Sequence, residues 1–312
     1  MNRSAMAYFG RDYSFRKRIE GLPEKLSDVK GLEIGEFHTS DGVRLAYWTS
    51  GQGAPLVLLP GWSAGGADYI NIIHLLSKRF KVYVLDQRNH GLSEKAEFGN
   101  RISRFAADLN DFLVSQNIES AHLCGWSMGC SVIWGYLDIF GSARVQKLIF
   151  IDQAPSIYSH SDWTEEQRVQ AGAFATSAER MIAMYYEETP ASRLIVDTDL
   201  FDFYNSKGAP AFENSHAFME DFVPQDRGAL RRVLFDHILN DWRDVIQFKI
   251  DRPTLVMSGE HSDWVQSQRW IAEVVPDGRA IIYGKVEHGD HFLHLKNPIR
   301  FSAEVTAFLE GN

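Results

Sequence analysis

The stretch that decides the fold is Cys124-Gly125-Trp126-Ser127-Met128-Gly129-Cys130. A short apolar run precedes it at residues 121–124, and a longer apolar run follows with the spacing of one helical face. Glycines two positions before and two positions after Ser127 allow a sharp strand-to-helix turn, because residues without a Cβ let the two elements approach closely. In such a turn the serine hydroxyl is pushed outward at the positive end of the helix. The pattern also arises by chance, so its meaning depends on the rest of the chain.

The composition is that of an ordinary globular protein. The chain has 312 residues, 45% hydrophobic and 23% charged, enough to bury a large core in one domain or in a domain with an insertion. The formal net charge of −9 argues against nucleic acid as a partner. No apolar run has membrane-spanning length and the N-terminus lacks a hydrophobic signal core, so we expect a cytoplasmic protein that does not bind membranes. Cys124 and Cys130 cannot form a zinc site alone, and we expect buried thiols rather than a disulfide.

Strand and helix patterns alternate through the first half of the chain. Two alternating segments at 33–38 and 43–48 flank an Asp41-Gly42 turn and predict a hairpin. Continuous apolar runs then predict strands buried on both faces, separated by helical patterns. These predicted strands are 55–61, 81–86, 121–124 and 145–152, and the predicted helices include 68–77 and 102–116. The sequence therefore predicts an α/β fold with a doubly wound, mostly parallel sheet.

The alternation stops between residues 154 and 249 and then resumes. The interrupted region is helical in pattern and rich in large apolar side chains, among them Trp163, Phe174, Met181, Met184, Tyr185, Tyr186, Leu194, Phe201, Phe203, Phe218 and Phe222. Strands are predicted again at 253–259 and 280–283, and helices at 265–273 and 298–309. We therefore expect a surface-packed N-terminal extension at 1–30, a core formed by 31–153 and 250–312, and a helical cap at 154–249. A cap inserted there would cover the crevice at the strand ends.

A nucleophilic serine needs a neighbouring base, because its hydroxyl is unreactive while it keeps its proton. Three histidines, His288, His291 and His294, follow the last predicted strand. In a parallel sheet, the loop after the last strand lies at the same edge as the sharp turn at Ser127, which we call the elbow. We choose His291 as the base and interpret the other two as loop or pocket residues.

Four segments in order along the chain resemble the motifs of the α/β-hydrolase family with a cap domain, over residues 33–310. They are Leu59-Pro60-Gly61-Trp62, Asp86-Gln87-Arg88-Asn89-His90-Gly91-Leu92-Ser93, the elbow at Ser127, and His291-Phe292-Leu293 with Pro298. The resemblance implies that the backbone N–H groups of Met128 and Trp62 form the oxyanion hole. It also implies a structural role for the Asp86 segment, which is a loop held by charges and hydrogen bonds in the family.

The triad acid has two candidates. Many family members carry it three residues after a glycine equivalent to Gly259, where this chain has Ser262, with Asp263 one position further on. Haloalkane dehalogenases and ring-cleaving cofactor-free dioxygenases carry it at the end of the preceding strand, where this chain has Asp152. We favour Asp152 and keep Asp263 as the alternative, although a turn residue and a helix N-cap are their simpler interpretations.

These residues predict a serine hydrolase that cleaves an ester, lactone or similar acyl bond of a small, largely apolar substrate through an acyl-enzyme. No metal and no organic cofactor is expected, and the expected partner is the small-molecule substrate; a homodimer is left open. The resemblance also leaves two alternatives. One is a cofactor-free dioxygenase or another non-hydrolytic enzyme of the same fold, and the other is a ligand-sensing, receptor-like protein.

Overall fold

A nine-stranded sheet forms the centre of the protein in the computed structural model, which describes residues 2–173, 209–223 and 226–311. The strands are β1 (Arg3–Ser4), β2 (Glu33–His38), β3 (Arg44–Ser50), β4 (Pro55–Leu59), β5 (Lys81–Leu85), β6 (Ala121–Trp126), β7 (Val145–Ile151), β8 (Thr254–Gly259) and β9 (Arg279–Tyr283). Every strand predicted from the sequence is confirmed, with ends within two residues of the prediction.

The strands lie in the order β1-β2-β3-β5-β4-β6-β7-β8-β9. The first three pair antiparallel, and β3 is also antiparallel to β5. The six strands from β5 to β9 across the sheet are parallel, which confirms the mostly parallel α/β fold. The chain leaves β4 toward β5 on one side and returns to β6 on the other, so the strand order reverses at β4. Loops diverge at such a point and open a crevice outside the strand ends, where ligands bind in open α/β sheets.

Helices cover both faces of the sheet. They are α1 (Ala5–Phe9), α2 (Ile70–Leu76), α3 (Ile102–Ser115), α4 (Met128–Phe140), α5 (Glu165–Ala171), α6 (Pro210–Phe222), α7 (Arg227–Leu239), α8 (Arg243–Lys249), α9 (Val265–Val274), α10 (Leu293–Lys296) and α11 (Pro298–Glu310). Consecutive residues of β7 belong to different apolar cores: Leu148 and Phe150 to one, Ile149 and Ile151 to the other. Since successive strand residues point to opposite faces, a strand buried on both faces must be apolar throughout. That is why these strands could be recognised from the sequence.

The described part of residues 154–249 consists of helices α5 to α8 and their connections, in agreement with the helical pattern predicted there. The predicted cap residues from Phe174 to Phe203 lie outside the described residues. Of the other large cap residues, Trp163 stacks with His160 and lies under the Arg243 guanidinium, within the cap itself.

The first thirty residues contribute to the core, whereas the sequence had predicted an extension packed on the surface. Strand β1 pairs with the edge strand β2, and Tyr13 and Phe15 are buried. Their rings meet Phe218 of the cap helix α6 at centroid distances of 5.0 and 5.9 Å. The segment therefore joins the sheet edge to the cap.

Both cysteines are buried and free, which confirms the prediction of thiols. The Cys130 thiol donates to the Gly125 carbonyl oxygen at 3.1 Å, inside the elbow. Of the helices in the described ranges, none is both long and apolar enough to cross a lipid bilayer.

Candidate active site

The turn between β6 and α4 has the geometry predicted for a nucleophile elbow. Ser127 has φ 52° and ψ −127°, a conformation that costs a residue with a side chain about 1–3 kcal/mol. A Cβ on Gly125 would lie 2.7 Å from the Cys130 nitrogen, and one on Gly129 would lie 2.0 Å from the Leu59 carbonyl oxygen. Both glycines are therefore required for the close packing of the turn, and the strain on Ser127 is imposed by the strands and helix around it.

Asp152 and His291 form a hydrogen-bonded pair at the same edge of the sheet. Asp152 directly follows β7 and is fully buried, and its Oδ2 lies 2.7 Å from His291 Nδ1. The other carboxylate oxygen accepts a hydrogen bond from the Ser258 hydroxyl at 2.6 Å. An ionised carboxylate only accepts hydrogen bonds, so Nδ1 carries the proton in this pair and Nε2 is left as the basic nitrogen.

Two tryptophans hold His291 in place. The Trp126 indole N–H donates to the His291 carbonyl oxygen at 2.7 Å, and its ring lies 5.3 Å from the imidazole. Trp264 meets the imidazole edge-on, also at 5.3 Å. Because Trp126 immediately precedes Ser127, this hydrogen bond connects the loop that carries His291 to the elbow that carries Ser127.

A buried ion pair shapes the loop that carries His291. Lys296 Nζ lies 2.6 Å from Asp290 Oδ2, and both side chains are fully buried. Asp290 Oδ1 accepts from the Phe292 backbone N–H at 2.8 Å, so the residues on both sides of His291 are fixed. Breaking a buried pair by removing one partner typically costs about 3–5 kcal/mol, which gives this loop a strong preference for one conformation.

The two candidate acids are placed differently. Asp263 is exposed, one residue after the buried Ser262, whose hydroxyl accepts from the Trp264 backbone N–H at 3.1 Å. The structure brings Asp152, and not Asp263, into the hydrogen bond with His291 Nδ1.

The expected oxyanion-hole residues border the elbow. Met128 is the first residue of α4, so its backbone N–H has no acceptor within the helix. Trp62 follows Gly61, which packs so closely against the elbow that an added Cβ would lie 3.0 Å from Ser127 Cβ. The Trp62 indole N–H reaches into the cap and donates to the Leu230 carbonyl oxygen of α7 at 2.9 Å.

The Asp86 segment has the structural role that the resemblance implies. The buried Asp86 carboxylate accepts from the Trp48 indole and from the backbone N–H groups of Gly66 and Leu92, at 2.7–3.0 Å. Burial raises the pKa of Asp86. Arg88 is buried as well, and it bonds Asp108 and Asp41, in an ion-pair network behind the loop. These contacts fix the course of the loop that follows β5.

His294 also lies near the site but faces away from the acid. Its Nε2 is 3.0 Å from the Tyr69 hydroxyl, and its ring packs on Trp126 at 4.7 Å. Complete burial lowers the pKa of His294, so it packs as a neutral ring.

Ser258, Trp264 and the positioning contact of Trp126 were not predicted from the sequence. Each acts through a contact between residues more than a hundred positions apart, or between loops that follow different strands. The one usable signal was the polar Ser258 at the end of an otherwise apolar strand, next to the strand that ends at Asp152.

A strained serine between a parallel strand and a helix, with a histidine–carboxylate pair at the same sheet edge, defines the class of α/β hydrolases. The model of the alpha/beta hydrolase fold family matches residues 54–298, and the chain belongs to that family.

Comparison with individual proteins gives several activities on this fold. A putative non-heme chloroperoxidase of Synechocystis sp. is 27% identical over 233 residues, which cover 73% of this chain and 81% of that protein. A pimeloyl-(acyl-carrier protein) methyl ester esterase of Chromobacterium violaceum is 24% identical over 268 residues, covering 82% and 95% of the two chains. The solved esterase of Exiguobacterium antarcticum superposes with a TM-score of 0.71 at 19% identity, covering 88% of this chain and 98% of that one. This last likeness shows the fold.

Proposed function

We propose that this α/β hydrolase is a serine hydrolase that cleaves an ester, lactone or similar acyl bond through an acyl-enzyme on Ser127. The observation that carries the proposal is the 2.7 Å hydrogen bond between Asp152 and His291. It supplies an oriented imidazole in a loop that is hydrogen-bonded to Trp126, the residue before the elbow serine, and a hydroxyl nucleophile needs such a base.

The reaction follows from this geometry. His291 Nε2 takes the proton of the Ser127 hydroxyl as its oxygen attacks the substrate carbonyl, and Asp152 stabilises the imidazolium that forms. The backbone N–H groups of Trp62 and Met128 donate to the developing oxyanion. The imidazolium then protonates the leaving group. Water, activated by the same imidazole, attacks the acyl-enzyme and returns the proton to Ser127.

The surroundings and the relatives support acyl chemistry. Trp264 and Phe292 contact the imidazole and form an apolar lining, which suits a small, largely apolar substrate held away from bulk water. Relatives named as a methyl ester esterase and as an esterase share the fold. Hydrogen peroxide attacking the acyl-enzyme in place of water would release a peracid and free Ser127. A peracid oxidises chloride to hypochlorite and is itself reduced to the carboxylic acid, so the same residue roles fit the activity named in the chloroperoxidase relative.

Replacing the two candidate acids separately tests the assignment. We expect Asp152→Asn to lower kcat on a short p-nitrophenyl ester by about 10³–10⁴-fold, because an amide cannot hold the imidazole tautomer or stabilise the imidazolium. Asp263→Asn, the matched control on an exposed carboxylate, should stay within about 3-fold of the wild type. Steady-state kinetics on folded proteins would measure both. A loss confined to Asp263→Asn would show that the acid is Asp263.

A further inference from the structure

His237 is a buried histidine of the cap helix α7 that the proposed mechanism does not use. His237 is 5% exposed, and its Nδ1 has no hydrogen-bond partner in the part of the chain that the structure describes. An unsatisfied buried polar group typically costs about 1–3 kcal/mol. His90, His122 and His294 each carry such a nitrogen as well, and His237 differs from them in lying on the cap helix α7.

Helix α7 lies across the candidate active site. Leu230, Leu234, His237 and Ile238 are spaced as one face of the helix. At one end of this face the Leu230 carbonyl oxygen accepts the Trp62 indole N–H.

At the other end of the face, Leu234 and Ile238 pack in a small apolar cluster with Trp264, whose ring contacts the His291 imidazole. Ala154, Ile157 and Tyr158 complete this cluster. Along the helix, His237 therefore lies between Leu230, which bonds Trp62, and Ile238, which packs with Trp264.

The electrostatics agree with this placement. Burial and, to a smaller extent, the charge of nearby His291 together lower the pKa of His237 to about 3. His237 is therefore a neutral ring at working pH, with one donor and one acceptor nitrogen. A neutral group suits this place, since a fixed cation beside His291 would oppose the imidazolium that forms during acyl transfer.

We propose that His237 determines specificity by hydrogen-bonding, through Nδ1, a neutral hydroxyl or amide group of a substrate that is otherwise apolar. The inference rests on the proposed function and narrows its substrate class to esters or lactones that carry such a group. The apolar cluster around Trp264 would contact the hydrocarbon part of the substrate, and His237 would hydrogen-bond its polar group. A site that hydrogen-bonds a polar group of its substrate discriminates against an analogue without that group. When the analogue binds, the hydrogen-bonding group of the protein is left buried and unpaired.

Pairs of substrates that differ in one group test this inference. The pairs would be p-nitrophenyl alkanoates and γ-lactones with and without a hydroxyl or acetamido substituent, compared by the ratio of kcat/KM within each pair. The wild type should prefer the substituted member of at least one pair. His237→Phe should reduce that preference by about 10–100-fold. His237→Asn, whose amide can reach the place of Nδ1, should retain most of it.

The control is His216→Phe, on cap helix α6, where the histidine pairs with Glu220. This variant should keep the wild-type ratios. Thermal unfolding adds a readout independent of turnover: His237→Phe should melt no lower than the wild type, because it removes an unpaired polar nitrogen from the interior.

Two results would overturn the inference while leaving the hydrolase intact. They are a wild type that turns over the panel without any such preference, and a ratio that His237→Phe leaves unchanged, whatever the melting temperature of that variant. A wild type that hydrolyses no member of the panel would instead contradict the proposed function, and the inference would fall with it.

Discussion

Two of the residues to which we assign chemistry have a strained backbone. Ser127 and Asp152 both have positive φ, 52° and 44°, and both follow parallel strands directly. The Ser127 N–H donates to the Ile151 carbonyl oxygen at 3.0 Å, and the Asp152 N–H donates to that of Met257 at 2.9 Å. Each strained residue is thus held by the end of the next strand, so strain that would relax in a free loop persists here.

Gly61 sets the distance between the loop that carries Trp62 and the side chain of Ser127. In Gly61→Ala the new Cβ would lie 3.0 Å from Ser127 Cβ and 3.1 Å from the Trp126 ring, so the loop must shift by a few tenths of an ångström. We expect kcat to fall by about 10–100-fold, less than the loss of a whole oxyanion donor. Steady-state kinetics and thermal melting would measure the effect.

Gly135→Ala is the matched control in the elbow helix. The nearest atoms to its added Cβ are 3.4 Å away, an ordinary contact. This variant should keep wild-type kcat and melt at the same or a higher temperature, because alanine favours helix. Equal activity of the two alanine variants would contradict the role given to Gly61.

At the scale of elements, the sheet could be predicted and the packing of the first thirty residues could not. Strands β4, β6 and β8 are buried on both faces, and their sequences are largely apolar runs. The first thirty residues carry no comparable pattern. Their burial depends on contacts such as Tyr13 with Phe218, between residues 205 positions apart, and one sequence gives no sign of such pairs.

Strand β6 also carries a histidine whose titration should affect stability. His122 is 5% exposed, and burial lowers its pKa to about 4 from an ordinary value of 6.5. Between those two pH values the unfolded chain binds a proton that the folded protein does not. The titration of His122 therefore lowers the free energy of unfolding as pH falls through that window, by at most about 1.4 kcal/mol per pH unit.

His122→Phe should remove this contribution. The free energy of unfolding of the variant minus that of the wild type should increase by about 2 kcal/mol as pH falls from 8 to 5. Urea unfolding at a series of pH values would measure the difference. A difference that stays constant with pH would show that His122 does not titrate as the structure implies.

At the scale of the whole molecule, the site collects residues from across the chain. Ser127 and His291 could be named from motifs, because the elbow and the histidine loop have local sequence patterns. The acid could not be settled in the same way, since Asp152 and Asp263 both follow parallel strands. In the structure Asp152, at the end of β7, bonds Ser258 of the neighbouring strand β8 and His291 of the loop that follows β9. Cytoplasmic location and the homodimer stay predictions.

The central claim is that Ser127 is a nucleophile activated by His291. Intact-mass analysis after treatment with a fluorophosphonate, followed by peptide mapping, tests it most directly. The wild type should gain one adduct, located on Ser127, and Ser127→Ala, folded to the same melting temperature, should gain none. A folded wild type that takes no label, or an adduct on another residue that persists in Ser127→Ala, would contradict the account.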